Sequence, residues 1–255
     1  MRYFLNSTGL IGLFFSVIFN SAYAKEEINA VVDWAQRVDL TIPVEGIVSK
    51  VWVNTGQKVK KGQILVELDK RIVQANLRQA KASVVGLQAS YEEMRRELQR
   101  AQELYDRTVL SDHDLQVAKN NAVIEKSKLE RAKAEYVKAQ VELEYATLRA
   151  PFDSIILHRS VEVGRAIIKL QSYDTLITLA SSGKYLARAP LTSTQAALVN
   201  IGDAVSVFNR NKNYPAKVVA IKYTNAKVDE KLVLIVEFSS KDKNLHAGTA
   251  VKIIF

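Results

Sequence analysis

The side chains that could perform chemistry are few, and their spacing supports no active site. Three histidines, His113, His158 and His246, lie in distant segments and lack the spacing of metal ligands. The chain has no cysteine, which excludes disulfides, thiol catalysis and cysteine-based metal sites. Met94 is the only methionine after the first residue, so the sequence has no methionine cluster for soft metals. Because the sequence also lacks a nucleophile elbow, a phosphate-binding glycine loop and a convincing carboxylate pair, we expect neither enzymatic activity nor a cofactor.

The longest element that the sequence predicts is a helical hairpin over residues 70–147. Two runs of mostly apolar positions have steps that alternate between three and four, which gives the 3.5-residue period of a coiled-coil seam. A short polar interruption separates the runs, and two long helices joined by so few residues must be antiparallel. Each arm of about 36 to 38 residues would be about 55 Å long, which suits contact at a distance. The seam positions are Val73, Leu77, Ala80, Val84, Leu87, Tyr91, Met94, Leu98, Ala101 and Tyr105 in the first run, and Leu115, Ala118, Ala122, Glu125, Leu129, Ala132, Tyr136, Ala139, Leu143 and Ala146 in the second.

The N-terminal residues have the features of a secretory signal peptide, residues 1–24. Arg2 precedes a largely apolar run, Gly9 to Phe19, and Ala22-Tyr23-Ala24 is a small-x-small cleavage site. The alternative is an uncleaved N-terminal anchor, although the apolar run is short for a membrane span. An exported chain without cysteine fits the bacterial periplasm better than a disulfide-stapled extracellular module. We therefore expect a periplasmic protein of a Gram-negative bacterium, soluble or peripherally associated with the inner membrane.

The formal net charge of +9 is unevenly distributed along the chain. Residues 70–147 hold 14 basic and 12 acidic residues, whereas residues 183–255 hold 11 basic and 5 acidic residues. The lysine excess of the C-terminal segment favours anionic lipid headgroups or an acidic partner, and a merely solvated surface is the alternative. We expect no nucleic-acid partner, because an exported protein is in the wrong compartment and no basic patch is interleaved with aromatic residues.

Strand and turn signals lie on both sides of the predicted hairpin. Residues 25–69 and residues 148–182 both alternate short apolar runs with turn residues. Neither segment buries enough apolar surface alone, so we expect them to pair as two halves of one β-sandwich interrupted by the helices. Residues 183–255 contain several short strands and one short helix at residues 192–200, which predicts a small β-barrel. The turn residues of the two sandwich halves are Gly46, Gly56, Gly62, Pro151 and Gly164.

Two sequence motifs flank the predicted hairpin. The first is Pro43-x-x-Gly46-x-Val48-x-x-Val51-x-Val53-x-x-Gly56-x-x-Val59-x-x-Gly62-Gln63-x-Leu65-x-x-Leu68-Asp69. The second is Leu148-x-Ala150-Pro151-Phe152-Asp153, followed by Val163-Gly164. Their order around a hairpin resembles the periplasmic adaptor subunits, or membrane fusion proteins, of tripartite efflux and secretion systems (the HlyD and resistance-nodulation-division, RND, adaptors). The resemblance covers nearly all of the chain after the signal peptide. It implies an elongated multidomain α+β protein, with a lipoyl-like β-sandwich split by a coiled-coil hairpin and followed by a small β-barrel.

The resemblance also implies a docking role for the tip of the hairpin. In that family the tip carries an arginine, a leucine four residues later and a serine seven residues after that, which dock on the intermolecular groove of a TolC-like outer-membrane channel. Arg100, Leu104 and Ser111 have this spacing. They would supply a charged fork for a carbonyl or carboxylate, an apolar knob and an N-cap for the second helix. The alternative is that Ser111 is only a cap and Leu104 only local packing. Further candidate contacts near the tip are Tyr105, Leu110 and Val117.

Three features depart from the family pattern. Ser154 stands where the family usually has glycine. Glu125 falls on the seam, where antiparallel pairing would place it near Arg95, and we predict an ion pair between the two. The last predicted strand ends at Phe255, so we expect no membrane-proximal domain of the kind that many RND-pump adaptors have. The identity of the inner-membrane partner is therefore open between an RND and an ABC-type exporter.

The resemblance implies an adaptor that joins an inner-membrane transporter to a TolC-like channel through a hexameric ring of hairpins. An RND transporter is the first choice for the inner-membrane partner. Two other classes compete with the adaptor. A lipoyl-type carrier is suggested by Glu67-Leu68-Asp69-Lys70, which matches the Glu-x-Asp-Lys acylation motif. However, Lys70 opens a long helix instead of lying on an exposed turn, and export removes the chain from cytoplasmic ligases. The remaining class is a structural coiled-coil scaffold without a transport partner.

Overall fold

The computed structural model describes residues 26–168, 174–226, 229–242 and 245–255. The predicted signal peptide, residues 1–24, lies outside the described residues. In the described ranges, no helix has the length and apolar character needed to cross a membrane. The helices of these ranges are α1 (Arg71–Asp106), α2 (Asp112–Tyr145) and α3 (Ser193–Ala196). The strands are β1 (Glu27–Trp34), β2 (Arg37–Leu40), β3 (Gly46–Val51), β4 (Lys58–Val59), β5 (Ile64–Leu68), β6 (Thr147–Arg149), β7 (Ser154–Arg159), β8 (Ala166–Ile167), β9 (Ile177–Ser181), β10 (Lys184–Leu191), β11 (Ala204–Asn209), β12 (Lys212–Ala226), β13 (Asp229–Ser239) and β14 (Ala250–Ile254).

Helices α1 and α2 form the predicted hairpin, with 36 residues in α1 and 34 in α2. Ala80 near the start of α1 and Ala139 near the end of α2 line the same hollow between the helices, so the helices are antiparallel. Burial follows the predicted seam, whose positions are buried or half-buried except for Tyr105, which is 38% exposed. The fully buried residues of the two helices are all seam positions: Ala101, Leu115, Ala122, Leu129, Ala132 and Ala139.

The predicted ion pair between Arg95 and Glu125 is wrong. Glu125 does lie on the seam, and its side chain is only 19% exposed. Its Oε1 accepts a hydrogen bond from Nζ of Lys128 in the same helix, at 2.7 Å. A lysine three residues further along the helix shares a face with the glutamate, so it reaches the carboxylate without crossing to the partner helix.

The two β segments that flank the hairpin form one sandwich of two sheets. The strand orders are β2-β9-β7-β4 in one sheet and β6-β5-β3-β8 in the other. Each sheet therefore combines strands that precede the hairpin with strands that follow it, as the sequence predicts. The helices leave the sandwich from adjacent strands, because Glu67 of β5 pairs with Thr147 of β6. The buried core draws on both segments and consists of Ile42, Val48, Val53, Val59, Leu65, Val66, Leu68, Ala146, Ala150, Ile156, Val161, Leu176, Ile177 and Leu179.

Six strands form a closed barrel in the order β1-β10-β13-β12-β11-β14. Strand β1 pairs with β10 on one side and β14 on the other, so it closes the barrel and removes its free edges. Its alternate residues Ile28, Ala30 and Val32 are buried in the barrel core. The prediction that residues 25–69 form the first sandwich half therefore begins too early. Residues 27–34 belong to the barrel, and the sandwich begins at β2.

The short helix predicted for residues 192–200 is only one turn long in the structure. The hydroxyl of Thr192 accepts from the backbone N–H of Gln195 at 3.2 Å, and Oε1 of Gln195 accepts from the N–H of Thr192 at 3.1 Å. This capping box fixes the start of α3. Leu198 and Ile201 after α3 are exposed. Val199, between them, is buried in the barrel core, so it holds this segment against the barrel after the helix has ended.

Candidate functional site

The turn between α1 and α2 forms the tip of the hairpin. The N–H of Thr108 donates to the carbonyl of Tyr105 at 2.8 Å, and the N–H of Val109 donates to the carbonyl of Leu104 at 3.0 Å. These bonds close the C-terminal end of α1. Thr108 has a φ of 60°, in the left-handed region that β-branched residues rarely adopt. The chain reverses here, so the end of α1 and the start of α2 are presented together.

Ser111 is the N-cap of α2. Its Oγ accepts a hydrogen bond from the backbone N–H of Asp114 at 3.2 Å and donates to Oδ2 of the same residue at 2.6 Å. Asp112 and Asp114 place negative charge in the first turn, where the helix dipole is positive. The predicted capping geometry is therefore present, and both of these contacts of the hydroxyl are local.

Arg100 lies one helical turn before Leu104 on α1, and its guanidinium is already paired. Its Nη2 lies 2.5 Å from Oε2 of Glu97 and 3.3 Å from Oε1 of Glu93. The hydrogen bond to Glu97 is the main cause that raises the pKa of Arg100 above its ordinary value, and Glu93 adds to it. Ion pairs as exposed as these are weak. A carboxylate or carbonyl of a partner can therefore replace Glu97 at small cost.

Exposed apolar side chains surround the turn. Leu104 is 42% exposed, Tyr105 38%, Val109 71% and Val117 43%. We call these four residues the tip cluster. Grouped apolar side chains that the protein does not bury itself are typical of a contact surface. Leu110, another predicted contact, is half-buried. Sequence reasoning missed Val109, because one valine within a polar turn carries no periodic signal.

The structure brings the three predicted docking residues to one end of the hairpin without joining them. Arg100 and Leu104 share a face of α1, as residues four apart on a helix do. Ser111 lies across the turn at the start of α2. Their described side-chain contacts are with other residues, namely the two glutamates at Arg100 and Asp114 at Ser111. A partner that engages all three must therefore span the turn.

Glu67 forms the centre of a polar cluster at the base of the hairpin. Its Oε1 accepts from Nζ of Lys70 at 2.7 Å, and its Oε2 accepts from Nε1 of Trp52 at 3.1 Å. The hydrogen bond from Lys70 is the main cause that lowers the pKa of Glu67. The ammonium of Lys50 lies 5.3 Å from the centroid of the Trp52 ring. Lys70 is thus held against the sandwich, at the residue just before α1, and is not displayed on an exposed turn.

The predicted turn residues of the sandwich have three different structural settings. A β-carbon at Gly46 would lie 3.1 Å from Cδ1 of Leu68, so alanine here would require the buried Leu68 side chain to shift by a few tenths of an ångström. Pro151 lies in an exposed bend between β6 and β7. The other three have the left-handed φ that favours glycine: 84° at Gly56, 81° at Gly62 and 88° at Gly164.

Asp153 joins the two segments of the sandwich. Its Oδ1 accepts from the backbone N–H of Lys61 at 2.9 Å, and its Oδ2 pairs with Nζ of Lys60 at 3.0 Å. The backbone hydrogen bond is the main cause that lowers the pKa of Asp153. The neighbouring Ser154 is fully buried, and its Oγ donates to the carbonyl of Phe152 at 3.1 Å. A serine is therefore accommodated where the resembling family usually has glycine, because its hydroxyl is satisfied locally.

Comparison with known proteins gives one family match and several relatives. The CzcB-like, barrel-sandwich hybrid domain matches residues 36–181, which correspond to the sandwich with its inserted hairpin. The macrolide export protein MacA of Yersinia pestis is 26% identical over 184 residues, which cover 67% of this chain and 49% of that protein. The multidrug resistance protein MdtA of Pantoea ananatis is 30% identical over 135 residues, which cover 52% of this chain and 32% of that protein. The chain thus spans about half or less of the length of these curated relatives.

A solved membrane fusion protein of Streptococcus pneumoniae has the same fold. It superposes with a TM-score of 0.68 at 16% sequence identity, over 89% of this chain and 97% of that chain. This superposition shows the fold, and the match to the CzcB-like domain confirms the family resemblance that the flanking motifs indicate. Because the domain match covers more than half of the sequence, the chain belongs to the adaptor, or membrane fusion, proteins with a CzcB-like barrel-sandwich hybrid domain.

Proposed function

We propose that this protein is a periplasmic adaptor that links an inner-membrane exporter to a TolC-like outer-membrane channel. The observation that carries the proposal is the hairpin, whose two helices of 36 and 34 residues end in the exposed tip cluster. At 1.5 Å per residue each arm is about 50 to 55 Å long. A projection of that length, rooted in the sandwich, can reach a partner far from the barrel. The protein would contribute assembly and no catalysis.

Docking would begin with the tip cluster. Leu104 and its apolar neighbours would enter a groove of the channel and lose their exposed surface. Arg100 would exchange its weak contacts with Glu93 and Glu97 for a carbonyl or carboxylate at the rim of that groove. Ser111 would fix the start of α2 and thereby the width of the tip. The channel would thus recognise the apolar shape of the tip and the positive charge of Arg100.

The proposed assembly is a hexameric ring of hairpins in the periplasm, after removal of residues 1–24. Large apolar side chains away from the seam support self-association, because a lone hairpin leaves them in water. They lie on both helices: Val85 is 64% exposed, Val123 63%, Ile124 51% and Val137 56%. Side-by-side packing of hairpins would cover them. A two-helix hairpin with one seam also needs such neighbours to be firmly structured.

The test of docking is the double variant Arg100→Glu with Leu104→Asp. We expect it to lose association with the channel in cross-linking and to lose efflux in the host. Arg131→Glu with Ala134→Asp is the matched control, because it makes the same charge change at exposed mid-hairpin positions of α2. The docking proposal fails if the tip variant retains both channel association and efflux.

Ser111 needs its own test, because it caps a helix whether or not it docks. Asparagine caps helices about as well as serine, whereas alanine does not. If Ser111→Ala reduces channel association and Ser111→Asn does not, the role of Ser111 is to cap. If both variants reduce association equally while the helix content of Ser111→Asn is unchanged, the hydroxyl contacts the channel directly.

The inner-membrane partner is proposed to be of RND type, with an ABC-type exporter as the alternative. The relatives are named for macrolide export and multidrug resistance, which favours a small organic molecule as the exported substrate. Neighbouring reading frames distinguish the partners, since a multi-span proton-driven permease and an ATP-binding permease have different sequence signatures. Co-purification of one of them with the cross-linked protein would then identify the partner.

Two competing functions have direct tests. A lipoyl-type carrier would need a modified Lys70, but that ammonium is paired with Glu67 and lies at the start of α1. The intact mass of the protein from its natural host should show no lipoyl or biotinyl increment. A coiled-coil scaffold without a transport partner would show unchanged efflux when the chain is deleted, and it would not cross-link to a channel.

A further inference from the structure

A groove on the outer face of the barrel is separate from the hairpin and its tip. It lies across β1, β14 and β11 and extends to the turn between β11 and β12, with a volume of about 520 Å³. This volume is within the range of small-molecule sites. Its lining residues are Glu27, Asn29, Phe208, Arg210, Ala250, Val251, Lys252 and Ile254. Neither the docking proposal nor the family match uses this surface.

The strand register explains the shape of the groove. Lys252 of β14 lies between Asn29 of β1 and Phe208 of β11, which form one row across the three strands. Two residues earlier on β14, Ala250 faces outward and has only a methyl group. Small Ala250 therefore leaves a hollow beside Arg210, while the half-buried ring of Phe208 forms an apolar wall.

The charges around the groove favour an anion. Nζ of Lys252 lies 2.8 Å from Oε2 of Glu27, so the only carboxylate among the lining residues is already neutralised. Among the side chains that the structure describes, no carboxylate pairs with Arg210. The groove therefore carries one guanidinium without a counter-charge next to an ammonium that has a single partner. An anionic group placed between them would gain from both cations.

The backbone at Arg210 is in an unfavourable conformation. Asn209 pairs with Lys212, so Arg210 and Asn211 form a two-residue hairpin turn. Arg210 has a φ of 54°, a value that glycine, asparagine or aspartate normally supplies in such turns. An arginine that is held in this region costs stability that a glycine would not. Strain of this kind persists mainly at sites of function.

We propose that the groove binds a small organic anion with an apolar body. The carboxylate or sulfonate of the ligand lies between Arg210 and Lys252, and its apolar body packs on Phe208 and Ile254 in the hollow above Ala250. Planar, bidentate recognition of a carboxylate is what a guanidinium does better than an ammonium. Because the site lies on the barrel, the inference is independent of the docking function proposed for the hairpin tip.

The test uses 2-naphthoate as the ligand and 2-naphthylmethanol as its uncharged counterpart of similar shape. In NMR titrations of the purified protein, 2-naphthoate should shift the backbone amides of residues 27–31, 206–211 and 250–254. The alcohol should bind about tenfold more weakly. Arg210→Glu and the groove-filling Ala250→Phe should each weaken 2-naphthoate binding by at least about tenfold. Lys222→Glu, an exposed charge reversal on β12 outside the groove, should leave it unchanged.

Arg210→Gly distinguishes a binding role from a structural one. It should raise the midpoint of thermal unfolding, because glycine adopts the left-handed conformation freely, and it should weaken 2-naphthoate binding. The inference is overturned if the alcohol and the acid bind equally, or if the two groove variants bind 2-naphthoate as tightly as the unaltered protein. It is also overturned if the groove residues respond only to the purified inner-membrane transporter, which would make the surface a protein contact.

Discussion

The sandwich and the hairpin are parts of one chain, yet they are stabilised in different ways. In the sandwich, fourteen buried apolar residues from both β segments pack in one core. In the hairpin, six residues are fully buried and four of them are alanine, although the two helices hold 70 residues. The apolar area that stabilises each residue is therefore much smaller in the hairpin. Exposed ion pairs on its solvent-facing side contribute little.

This difference makes the hairpin depend on the sandwich, while the sandwich does not depend on the hairpin. Pairing of Glu67 in β5 with Thr147 in β6 holds the bases of the helices together. Separation of the helices near the tip leaves these strands paired. Unfolding of the sandwich, in contrast, releases both helix bases and leaves a hairpin with one seam, which is marginal in water. We therefore expect the hairpin to open at lower free energy than the sheets.

The largest expected effect comes from removing the same side chain in each region. Leu65 in the sandwich is 0% exposed and Leu129 in the hairpin is 2% exposed. Leu65→Ala should lower the free energy of unfolding by about 3 to 4 kcal/mol in both regions, because the helices lose their base. Leu129→Ala should lower it by about 2 to 3 kcal/mol in the hairpin and by under about 1 kcal/mol in the sheets.

Two probes separate these transitions in urea. Circular dichroism at 222 nm reports mainly on α1 and α2, whereas the two tryptophans, Trp34 and Trp52, report on the barrel and the sandwich. For Leu129→Ala the helical signal should be lost at lower urea than the fluorescence change. If Leu129→Ala shifts both signals equally, the chain unfolds as one cooperative unit and the comparison between the regions is wrong.

A glycine-to-alanine pair should give effects of opposite sign. An added β-carbon meets no atom within 4 Å at Gly62 or at Gly86, so the two sites differ in their backbone conformation and not in the space available. Gly62 has a φ of 81°, and Gly62→Ala should cost about 1 to 2 kcal/mol. Gly86 lies within α1, and Gly86→Ala should stabilise the hairpin by about 0.5 to 1 kcal/mol. Thermal unfolding measures both, and a loss of stability in Gly86→Ala would contradict a solvent-facing position for this residue.

Glu67 connects the two regions and should make their junction sensitive to acid. Its pKa is lowered in the folded protein, chiefly by the hydrogen bond from Lys70. The stabilisation is therefore present above the ordinary carboxyl pKa and is lost as the pH falls below about 4. Glu67→Gln should cost about 1 kcal/mol at pH 7 and less at pH 3. Urea unfolding followed by Trp52 fluorescence at both pH values measures the difference, and an equal cost at both would exclude the ionised carboxylate as its cause.

The hairpin could be predicted from the sequence because its signal is local. A 3.5-residue period over residues 70–147 places the seam without knowledge of any partner, and burial follows it almost residue by residue. The pairing of the two sandwich segments could also be predicted, because neither segment could bury its apolar face alone. The hairpin turn could be placed from the polar interruption, and Ser111 could be identified as a cap from its position after it.

The location of β1 could not be predicted. The alternation of apolar and polar residues shows which face of a strand is buried, but it does not show which sheet the strand joins. Ile28, Ala30 and Val32 would fit the sandwich or the barrel equally well, and only pairing with β10 and β14 decides. The partner of Glu125 was missed for a similar reason, since a cross-helix pair and an intrahelical pair both satisfy the pattern. The ion pair between Arg100 and Glu97 could have been predicted, because residues three apart share a face of a helix.

The smallest expected effect concerns the backbone of the turns, where the regions again differ. The sandwich places glycine at its left-handed positions, whereas the hairpin tip places Thr108 there, with a φ of 60°. Asparagine tolerates this conformation better than a β-branched residue, so Thr108→Asn should stabilise the hairpin by about 0.5 kcal/mol. The midpoint of the helical transition measures the gain.

Val109→Asn is the control, because it makes the next residue polar without changing a left-handed position. If both variants stabilise the hairpin equally, the gain comes from polarity and not from relief of backbone strain. If Thr108→Asn alone stabilises the helices and also weakens channel association, the strained turn belongs to the docking surface.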